Sequence, residues 1–297
     1  MGKAAAKEHR QQRVEAVRAE QARLARRKVM LSVTAVGVVV LVIVALIVVK
    51  VATGGTTTAS PTTPPGIAAP NVVAGLSTVP AATSASIGAG TVTTKPISIT
   101  APPLTANSKP RILYLGAEYC PFCAGERWAV AVALARFGTW SNLGVTSSSA
   151  TDIYPNTATL SFHGATYTSS YLSFTGYETT TNQPQGTSYV PLDTPPAADQ
   201  AIVDKYDAPP YVPTGSSGSI PFVDIAGKYV ISGASYDVSI LQGQTRDQIA
   251  AALKDPNSPI AKAIVGTANV ITADICKATG NVPSSVCSAA GVVAAGT

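Results

Sequence analysis

The chain is poor in charged residues and in aromatic residues, and it has almost no histidine. Only 12% of its 297 residues are charged, 6% are aromatic, and two are histidine. The net charge of +5 is unevenly spread, since residues 1–50 hold ten Lys or Arg and three Glu while the remainder is slightly acidic. A nucleic-acid-binding domain needs a basic face on its folded part, so we expect no nucleic-acid partner.

Cysteine is also scarce, and its positions exclude some classes of site. The four cysteines are Cys120, Cys123, Cys276 and Cys287. None lies between residues 1 and 119, which excludes a lipid-modified cysteine at a membrane exit. A zinc site would need two pairs about 150 residues apart to converge, whereas structural zinc sites usually place their pairs close together. We therefore expect no metal. The sequence also lacks a nucleotide-binding fingerprint and a phosphate-binding glycine loop, so we expect no cofactor.

Residues 29–49 form an apolar run without a charge. These 21 residues suffice, at about 1.5 Å per residue, to cross a hydrocarbon core of roughly 30 Å. The positive-inside rule then predicts a basic cytoplasmic segment over 1–28, a transmembrane helix over 29–50 and an extracytoplasmic remainder. A cleaved signal peptide is the alternative, but its apolar core is usually only ~7–15 residues long. We expect a single-pass cell-membrane protein that contacts the lipid bilayer through 29–49.

Beyond the apolar run, the composition divides the chain into three parts. Residues 51–70 are rich in Thr, Pro and Gly, which predicts a flexible linker. Residues 71–109 have apolar positions at helical spacing and form either an N-terminal extension packed on the domain or more linker. Residues 110–297 alternate strand and helix patterns, which predicts an α/β domain with a sheet covered by helices. Within it, 144–215 is predicted to be an insertion with short strands.

Several elements of this domain can be predicted from their patterns. A buried strand covers "PRILYLGAEY", and a helix follows over 123–138 with Trp128 on its apolar stripe. On that helix, the charged side chains Glu126, Arg127 and Arg136 are expected at the solvent rim. A hairpin around the "AGK" turn is expected in 219–236. Further helices are predicted over 197–207, 245–253 (with Thr245 as N-cap) and 258–280.

The stretch "GAEYCPFCAGERW", 116–128, places Cys120 and Cys123 where a strand ends and a helix begins. A cysteine there lies beside unpaired backbone N–H groups and the positive end of the helix dipole. Both favour the thiolate, so we expect the pKa of Cys120 to fall below the free value of about 8.5. A thiolate attacks disulfides, and Cys123, one turn later, could resolve the mixed disulfide. Pro121 suits the first helical turn, and Phe122 brings no hydrogen-bond donor.

Two motifs resemble thioredoxin-like proteins. "AEYCPFC" resembles their acidic–aromatic–CxxC run, and "SIPFVDIAGKYV" resembles the segment that carries the cis-proline of that fold. The run "PFVDIAGKY" is especially similar to the corresponding stretch of DsbA-type extracytoplasmic disulfide oxidoreductases. The whole arrangement also resembles a domain-of-unknown-function family of membrane-anchored, thioredoxin-like proteins.

The resemblance implies both a fold and an activity. It implies a thioredoxin-like fold, with a central mixed sheet flanked by helices and an insertion between the CxxC helix and the cis-proline strand. It implies a thiol–disulfide oxidoreductase that acts on exported protein substrates and exchanges electrons with a separate redox partner. Cys120 and Cys123 would be catalytic, while Pro121, Phe122, Ile220 and a cis Pro221 would form the substrate groove.

The sequence departs from the thioredoxin pattern at one position and leaves three alternatives open. Thioredoxins keep a buried acid six positions before the first cysteine, where this chain has Tyr114. Glu118 is the acid nearest to Cys120 in the sequence. It is either a proton-transfer group or a solvated loop carboxylate. Cys276 and Cys287 suit a structural disulfide or a second redox pair. Finally, the domain could be a binding or scaffold module in which the CxxC is a structural disulfide.

Overall fold

The computed structural model describes residues 66–296 of the chain. The predicted basic segment, the transmembrane helix and linker residues 51–65 lie outside the described residues. The strands within 66–296 are β1 (Gly66–Ile67), β2 (Ile97–Ser98), β3 (Thr105–Ala106), β4 (Lys109–Gly116), β5 (Gly138–Ser141), β6 (Gly144–Ser147), β7 (Ala158–Ser161), β8 (Thr166–Ser169), β9 (Ser173–Glu178), β10 (Thr180–Gln185), β11 (Ser188–Pro191), β12 (Phe222–Ile225) and β13 (Tyr229–Ser232).

Helices separate these strands and close the C-terminal part. The α-helices within 66–296 are α1 (Pro70–Ser77), α2 (Ala81–Ile87), α3 (Pro121–Ala135), α4 (Ala197–Tyr206), α5 (Arg246–Ala252), α6 (Pro259–Thr279), α7 (Ser284–Cys287) and α8 (Ala290–Ala295). Two short 3-10 turns, Thr214–Ser216 and Val238–Leu241, flank the β12–β13 hairpin. The mixture of strands and helices confirms the predicted α/β class.

The largest sheet of the described residues is mixed and has β4 at its centre. Its strand order is β2–β13–β12–β4–β3, and β9 also pairs with β4. β9 runs parallel to β4, from Arg111 opposite Ser173 to Gly116 opposite Glu178. β12 is antiparallel to both β4 and β13. Because parallel neighbours need a crossover, helix α3 lies in the connection from β4 to β9.

Helices cover both faces of this sheet, because successive strand residues point to opposite sides. On one face, Ile112 and Tyr114 of β4 belong to the main core, to which α3 and α6 contribute. On the other face, Leu115 and Phe222 pack in a smaller core with Val203 of α4. The sheet is therefore the middle layer of three, and the carboxyl end of β4 leads directly into α3.

Helix α6 is the one element among residues 66–296 that is long and apolar enough to cross a membrane. However, 89% of its most apolar window is buried inside the fold. Polar side chains also interrupt its buried face, including Asn269, which donates to the carbonyl oxygens of Ser84 and Gly88. The helix is thus a core element of the domain.

The predicted N-terminal extension packs on the domain. Val72 and Leu76 of α1 are buried in the main core. Gly75 allows α1 to lie close to α5, because a Cβ at this position would come within 2.9 Å of the Ala250 Cβ. Residues 66–70, predicted to end the flexible linker, are also part of the fold, since β1 pairs with β6. Backbone pairing of a two-residue strand needs no side-chain pattern, so the composition gave no sign of it.

The predicted insertion, 144–215, is not separate from the sheet. It supplies β9, which lies beside β4 in the central sheet. The remaining strands in this region form smaller sheets, such as the β10–β11 hairpin. Loose alternation of Thr, Ser and Tyr predicted strands here, but a strand's partner depends on the path of the whole chain.

Three other sequence predictions are confirmed. Helices α4 and α6 begin and end close to their predicted limits. Thr245 caps α5 in a capping box with Gln248, in which each side chain accepts from the other residue's backbone N–H. The β12–β13 hairpin turns at Ala226 and Gly227, where the Gly227 φ of 72° suits glycine and its N–H donates to Asp224 Oδ1.

Candidate active site: a dithiol at a helix N-terminus

Cys120 is the N-cap residue of α3. Its sulfur accepts a hydrogen bond from the backbone N–H of Cys123 at 3.2 Å. Pro121 occupies the first helical position, where a missing N–H costs no helical hydrogen bond. The cysteine side chain therefore takes the position that Ser or Asp usually fills at a helix start, and it receives the partial positive charge of that end.

The two thiols differ in environment and in acidity. Neither cysteine is in a disulfide. The hydrogen bond with Cys123 lowers the pKa of Cys120 below the ordinary thiol value, and this effect, with a contribution from the Arg127 charge, outweighs burial. Burial, together with the neighbouring Cys120, raises the pKa of Cys123 well above that value. Cys120 is thus the thiol that ionises first, and Cys123 stays protonated beneath it.

Ile220 and Pro221 lie directly opposite the dithiol. The peptide bond between them is cis, as the family resemblance implied. The Cys120 thiol faces the carbonyl oxygen of Ile220, with the sulfur 3.7 Å from that oxygen. Residues 100 positions apart in the chain therefore meet at the thiol, because β12 lies beside β4 in the sheet.

A surface cavity of about 500 Å³ opens beside Cys120, and we call it the dithiol groove. Its lining residues are Tyr119, Cys120, Pro121, Phe122, Asp152, Tyr154, Ser219, Ile220, Gly233, Ala234, Tyr236, Asp237 and Val238. Of the residues predicted to form a substrate groove, Pro121, Phe122 and Ile220 line it, whereas Pro221 is buried behind Ile220.

Aromatic side chains border the groove. Phe122 is 41% exposed and contacts Tyr154 edge-on, with ring centroids 6.1 Å apart. Tyr119 stacks on Tyr189 of β11, with ring centroids 4.2 Å apart. Trp128, in contrast, is fully buried in the core and donates to the Ala158 carbonyl oxygen. The groove therefore offers apolar surface immediately beside the Cys120 sulfur.

Glu118 is buried, so its interpretation as a solvated loop carboxylate is wrong. Its carboxylate accepts hydrogen bonds from Ser161 Oγ at 2.6 Å and from Thr146 Oγ1 at 3.2 Å. Strands β6 and β7 bring these two hydroxyl groups to the loop before α3. Glu118 does not line the dithiol groove, and its part in proton transfer stays a prediction.

Arg127 and Glu178 form a fully buried ion pair behind the dithiol. Arg127 Nε and Nη2 donate to the two carboxylate oxygens of Glu178 at 2.8 and 2.6 Å. Nη2 also donates to the carbonyl oxygen of Ala117, which accepts from the Cys120 N–H as well. Arg127 thus fixes the loop that presents Cys120, and the expectation that it lies at the solvent rim is wrong.

Glu126 is also buried rather than at the rim. Its carboxylate accepts from the backbone N–H of Ser235 at 2.9 Å and from Ser235 Oγ at 3.0 Å. Burial raises the Glu126 pKa to about 7, although these hydrogen bonds favour the carboxylate. Tyr236, next in the chain, donates to the Gly125 carbonyl oxygen at 2.8 Å. These hydrogen bonds therefore hold the segment around residue 235, part of which lines the groove, against α3.

The other two positions singled out, Arg136 and Tyr114, differ in burial. Arg136 is partly buried and donates to Thr272 Oγ1 at 2.8 Å and to Asn269 Oδ1 at 2.7 Å, both on α6. Tyr114 is fully buried, and its hydroxyl group has no hydrogen-bond partner among the described residues. Burial raises the Tyr114 pKa well above its ordinary value, so this side chain is a neutral phenol.

Cys276 and Cys287 form a disulfide, which confirms that they pair, while the choice between a structural bond and a second redox pair stays a prediction. The bond joins the last turn of α6 to α7, with the two Cα atoms 5.6 Å apart. Since these sulfurs are bonded to each other, they cannot join Cys120 and Cys123 as zinc-binding thiolates. His163, the histidine of the described region, instead pairs with Asp193 at 2.7 Å.

Comparison with known proteins gives a family for this chain. A family model described as "Domain of unknown function (DUF929)" matches residues 95–277. The chain belongs to the DUF929 family. Its match includes the dithiol, Ile220, Pro221 and nearly all of α6, but it ends before Cys287. No curated protein and no solved structure matches the chain.

Sequence reasoning missed several residues of this DUF929 site. Arg127 had a detectable signal, because it follows Cys123 by four residues and therefore shares its helix face. Its partner Glu178 had none, because it lies on a strand that was predicted to be outside the sheet. Asp152 and Asp237 reach the groove from irregular loops, where no periodicity indicates which way a side chain points.

Proposed function

We propose that the chain is a thiol–disulfide oxidoreductase whose Cys120 and Cys123 exchange with disulfides of exported proteins. The observation that carries the proposal is the acidified Cys120 thiol, held at a helix N-terminus and open to a groove beside the cis Ile220–Pro221 bond. A merely structural cysteine has no need of a lowered pKa or of an adjoining groove.

We also propose that the domain has a thioredoxin-like fold. The order β9–β4–β12–β13, with β9 parallel and β12 antiparallel to β4, supports this assignment. So does the position of the dithiol at the start of the helix that follows the central strand. Helices α3 and α6 on one face and α4 on the other agree with the same arrangement.

The geometry supports a two-step exchange. The Cys120 thiolate attacks one sulfur of a substrate disulfide, forming a mixed disulfide and releasing the other substrate sulfur as a thiolate that takes a proton from water. Cys123 then loses its proton and attacks Cys120 Sγ, which releases the second substrate thiol. Two electrons pass from the protein dithiol to the substrate, and the reverse sequence oxidises a substrate dithiol.

The proposed location is the extracytoplasmic face of the cell membrane, with residues 29–49 as a single-pass anchor. The Cys276–Cys287 disulfide supports this location, because disulfides persist mainly in oxidising compartments. The uncharged run at 29–49, preceded by a basic segment, supports the anchor. Substrates and the redox partner would then be proteins of that compartment.

The test uses the full chain in mild detergent with Cys120 and Cys123 reduced. The rate at which iodoacetamide alkylates Cys120 should rise with pH and level off at a lower pH than it does for an ordinary thiol. We expect exchange with insulin disulfides, which Cys120→Ser abolishes. Cys123→Ser should instead accumulate the mixed disulfide, because nothing resolves it.

The two serine variants are matched controls for each other, since each removes one thiol of the same motif. If Cys120 titrates as an ordinary thiol and neither insulin exchange nor a trapped mixed disulfide is seen, the proposal is overturned. The domain would then be a binding or scaffold module that keeps an unreactive cysteine pair.

A further inference from the structure

The dithiol groove carries negative charge and no positive charge. Its lining includes Asp152 and Asp237 but no Lys, Arg or His. The two carboxylates come from separate loops, one between β6 and β7 and one after β13. When Cys120 ionises, a third negative charge joins them.

Both carboxylates keep acceptor capacity for a ligand. Asp152 Oδ1 accepts from the Ile153 N–H at 2.6 Å, and Asp237 Oδ1 accepts from the Ser239 N–H at 3.0 Å. No Lys, Arg or His of residues 66–296 forms an ion pair with either of them. Asp237 is exposed, and its hydrogen bonds with Ser239 lower its pKa, so it is charged at neutral pH.

The rest of the groove suits a polypeptide chain. Phe122 and Tyr154 supply apolar surface, and Phe122 is among the most exposed large apolar side chains of the described residues. A substrate cysteine that reaches Cys120 would therefore place its neighbouring residues between apolar contacts and carboxylates. Charge complementarity favours a positively charged segment there and disfavours an acidic one.

We infer that the groove selects disulfides whose cysteine is flanked by Lys or Arg, with Asp152 and Asp237 as the specificity-determining residues. The inference rests on the proposed function, because it concerns the substrate of that same dithiol. It adds that small anionic disulfides are poor substrates, since they meet the two groove carboxylates as well as the Cys120 thiolate. The selectivity is electrostatic, so it weakens as salt screens the charges.

Two synthetic peptide disulfides test this inference against the reduced full chain. Each is a symmetric dimer of a five-residue peptide with a central cysteine, one with Lys at both ends and one with Glu. Second-order rates of exchange are measured by acid quenching and mass spectrometry at low and high salt. The rates at which the same dimers react with dithiothreitol, whose only ionising groups are its two thiols, correct for the intrinsic reactivity of each dimer.

We expect the Lys dimer to react roughly tenfold faster than the Glu dimer at low salt, and the ratio to approach one in molar salt. Asp152→Asn and Asp237→Asn should each reduce this ratio about threefold. Asp255→Asn is the matched control, because Asp255 is exposed and accepts from the N–H two residues on, as Asp237 does, but lies outside the groove. Iodoacetamide rates for every variant correct for changes in thiolate reactivity.

Each outcome has one meaning. A salt-dependent preference for Lys that falls in the two groove variants and persists in Asp255→Asn supports the inference. Equal corrected rates for both dimers, or a preference that both groove variants retain, overturn the inference and leave the proposed function standing. If neither dimer exchanges with the protein, the proposed function is overturned as well. In that case the exchange rates of the unsubstituted chain are no higher than those of Cys120→Ser.

Discussion

Replacing the buried Glu126 by glutamine should stabilise the domain at alkaline pH. Glu126→Gln keeps the size of the side chain and removes its charge. The amide oxygen can accept from the Ser235 N–H while the amide nitrogen donates to Ser235 Oγ, so both contacts of the carboxylate have replacements. The substitution therefore isolates the free energy of keeping a carboxylate in the interior.

The size of the effect follows from the Glu126 pKa. Burial raises it from 4.5 to about 7, so the folded state holds the proton more tightly than the unfolded chain. The proton on Glu126 stabilises the folded state to its full extent below pH 4.5, and this stabilisation is lost as the pH rises to about 7. The loss corresponds to roughly 3 kcal/mol, and Glu126→Gln should regain most of it at pH 8.

Urea unfolding followed by tryptophan fluorescence measures this difference between pH 4.5 and 8.5. The two tryptophans of the chain, Trp128 and Trp140, are both buried in this domain, so the signal reports its unfolding alone. Asp207 and Asp224 also have pKa values raised to about 6 by burial, and they lower stability over the same range. The comparison must therefore be between variant and parent at each pH.

The expected result is a difference that is near zero at pH 4.5, grows to pH 7 and then stays constant. Asp204→Asn serves as the control, because that carboxylate is exposed on α4. If Glu126→Gln is no more stable than the parent at pH 8, or if the difference does not change with pH, then Glu126 does not carry a buried charge and the reasoning is refuted.

Two further predictions concern stability, each measured by the same urea unfolding. Arg127→Met should cost about 3–5 kcal/mol because Glu178 is left buried without its partner; adding Glu178→Leu should recover most of the loss, and failure to recover would show that the pairing is not the cause. Replacing Cys276 and Cys287 together by serine should cost about 2–3 kcal/mol, since the bond closes a short loop; an unchanged unfolding free energy would contradict it.

The sequence predicts the local parts of this structure well. The strand before Cys120, the helix after it and the Thr245 cap depend on periodicity and on residues a few positions apart. The apposition of Ile220 and Pro221 to the dithiol came only with the resemblance to known folds. Local patterns therefore predicted the position of Cys120 at a helix start, while the groove beside it could be found only from the topology of the whole sheet.

The buried contacts of Arg127 and Glu126 could not be predicted, because they join residues that lie far apart in the sequence. Arg127 and Glu178 are 51 positions apart, and Glu126 and Ser235 are 109 positions apart. A charged residue on a helix is normally assigned to the surface, and only knowledge of a buried partner reverses that assignment. The partners here lie on β9 and on the loop after β13, whose places in the fold are set by the assembled sheet.

The polar interior of α3 limits how this family can vary. Its first turn borders the dithiol groove, but its next turn depends on charged or polar partners from two distant segments, Glu178 and Ser235. Exchanging Phe122, which is exposed in the groove, removes neither of these contacts, so this position is open to redesign. Arg127 can change only together with Glu178, so we expect the two to covary among relatives. A CxxC helix transplanted from another protein would therefore fail here unless it brought its partners along.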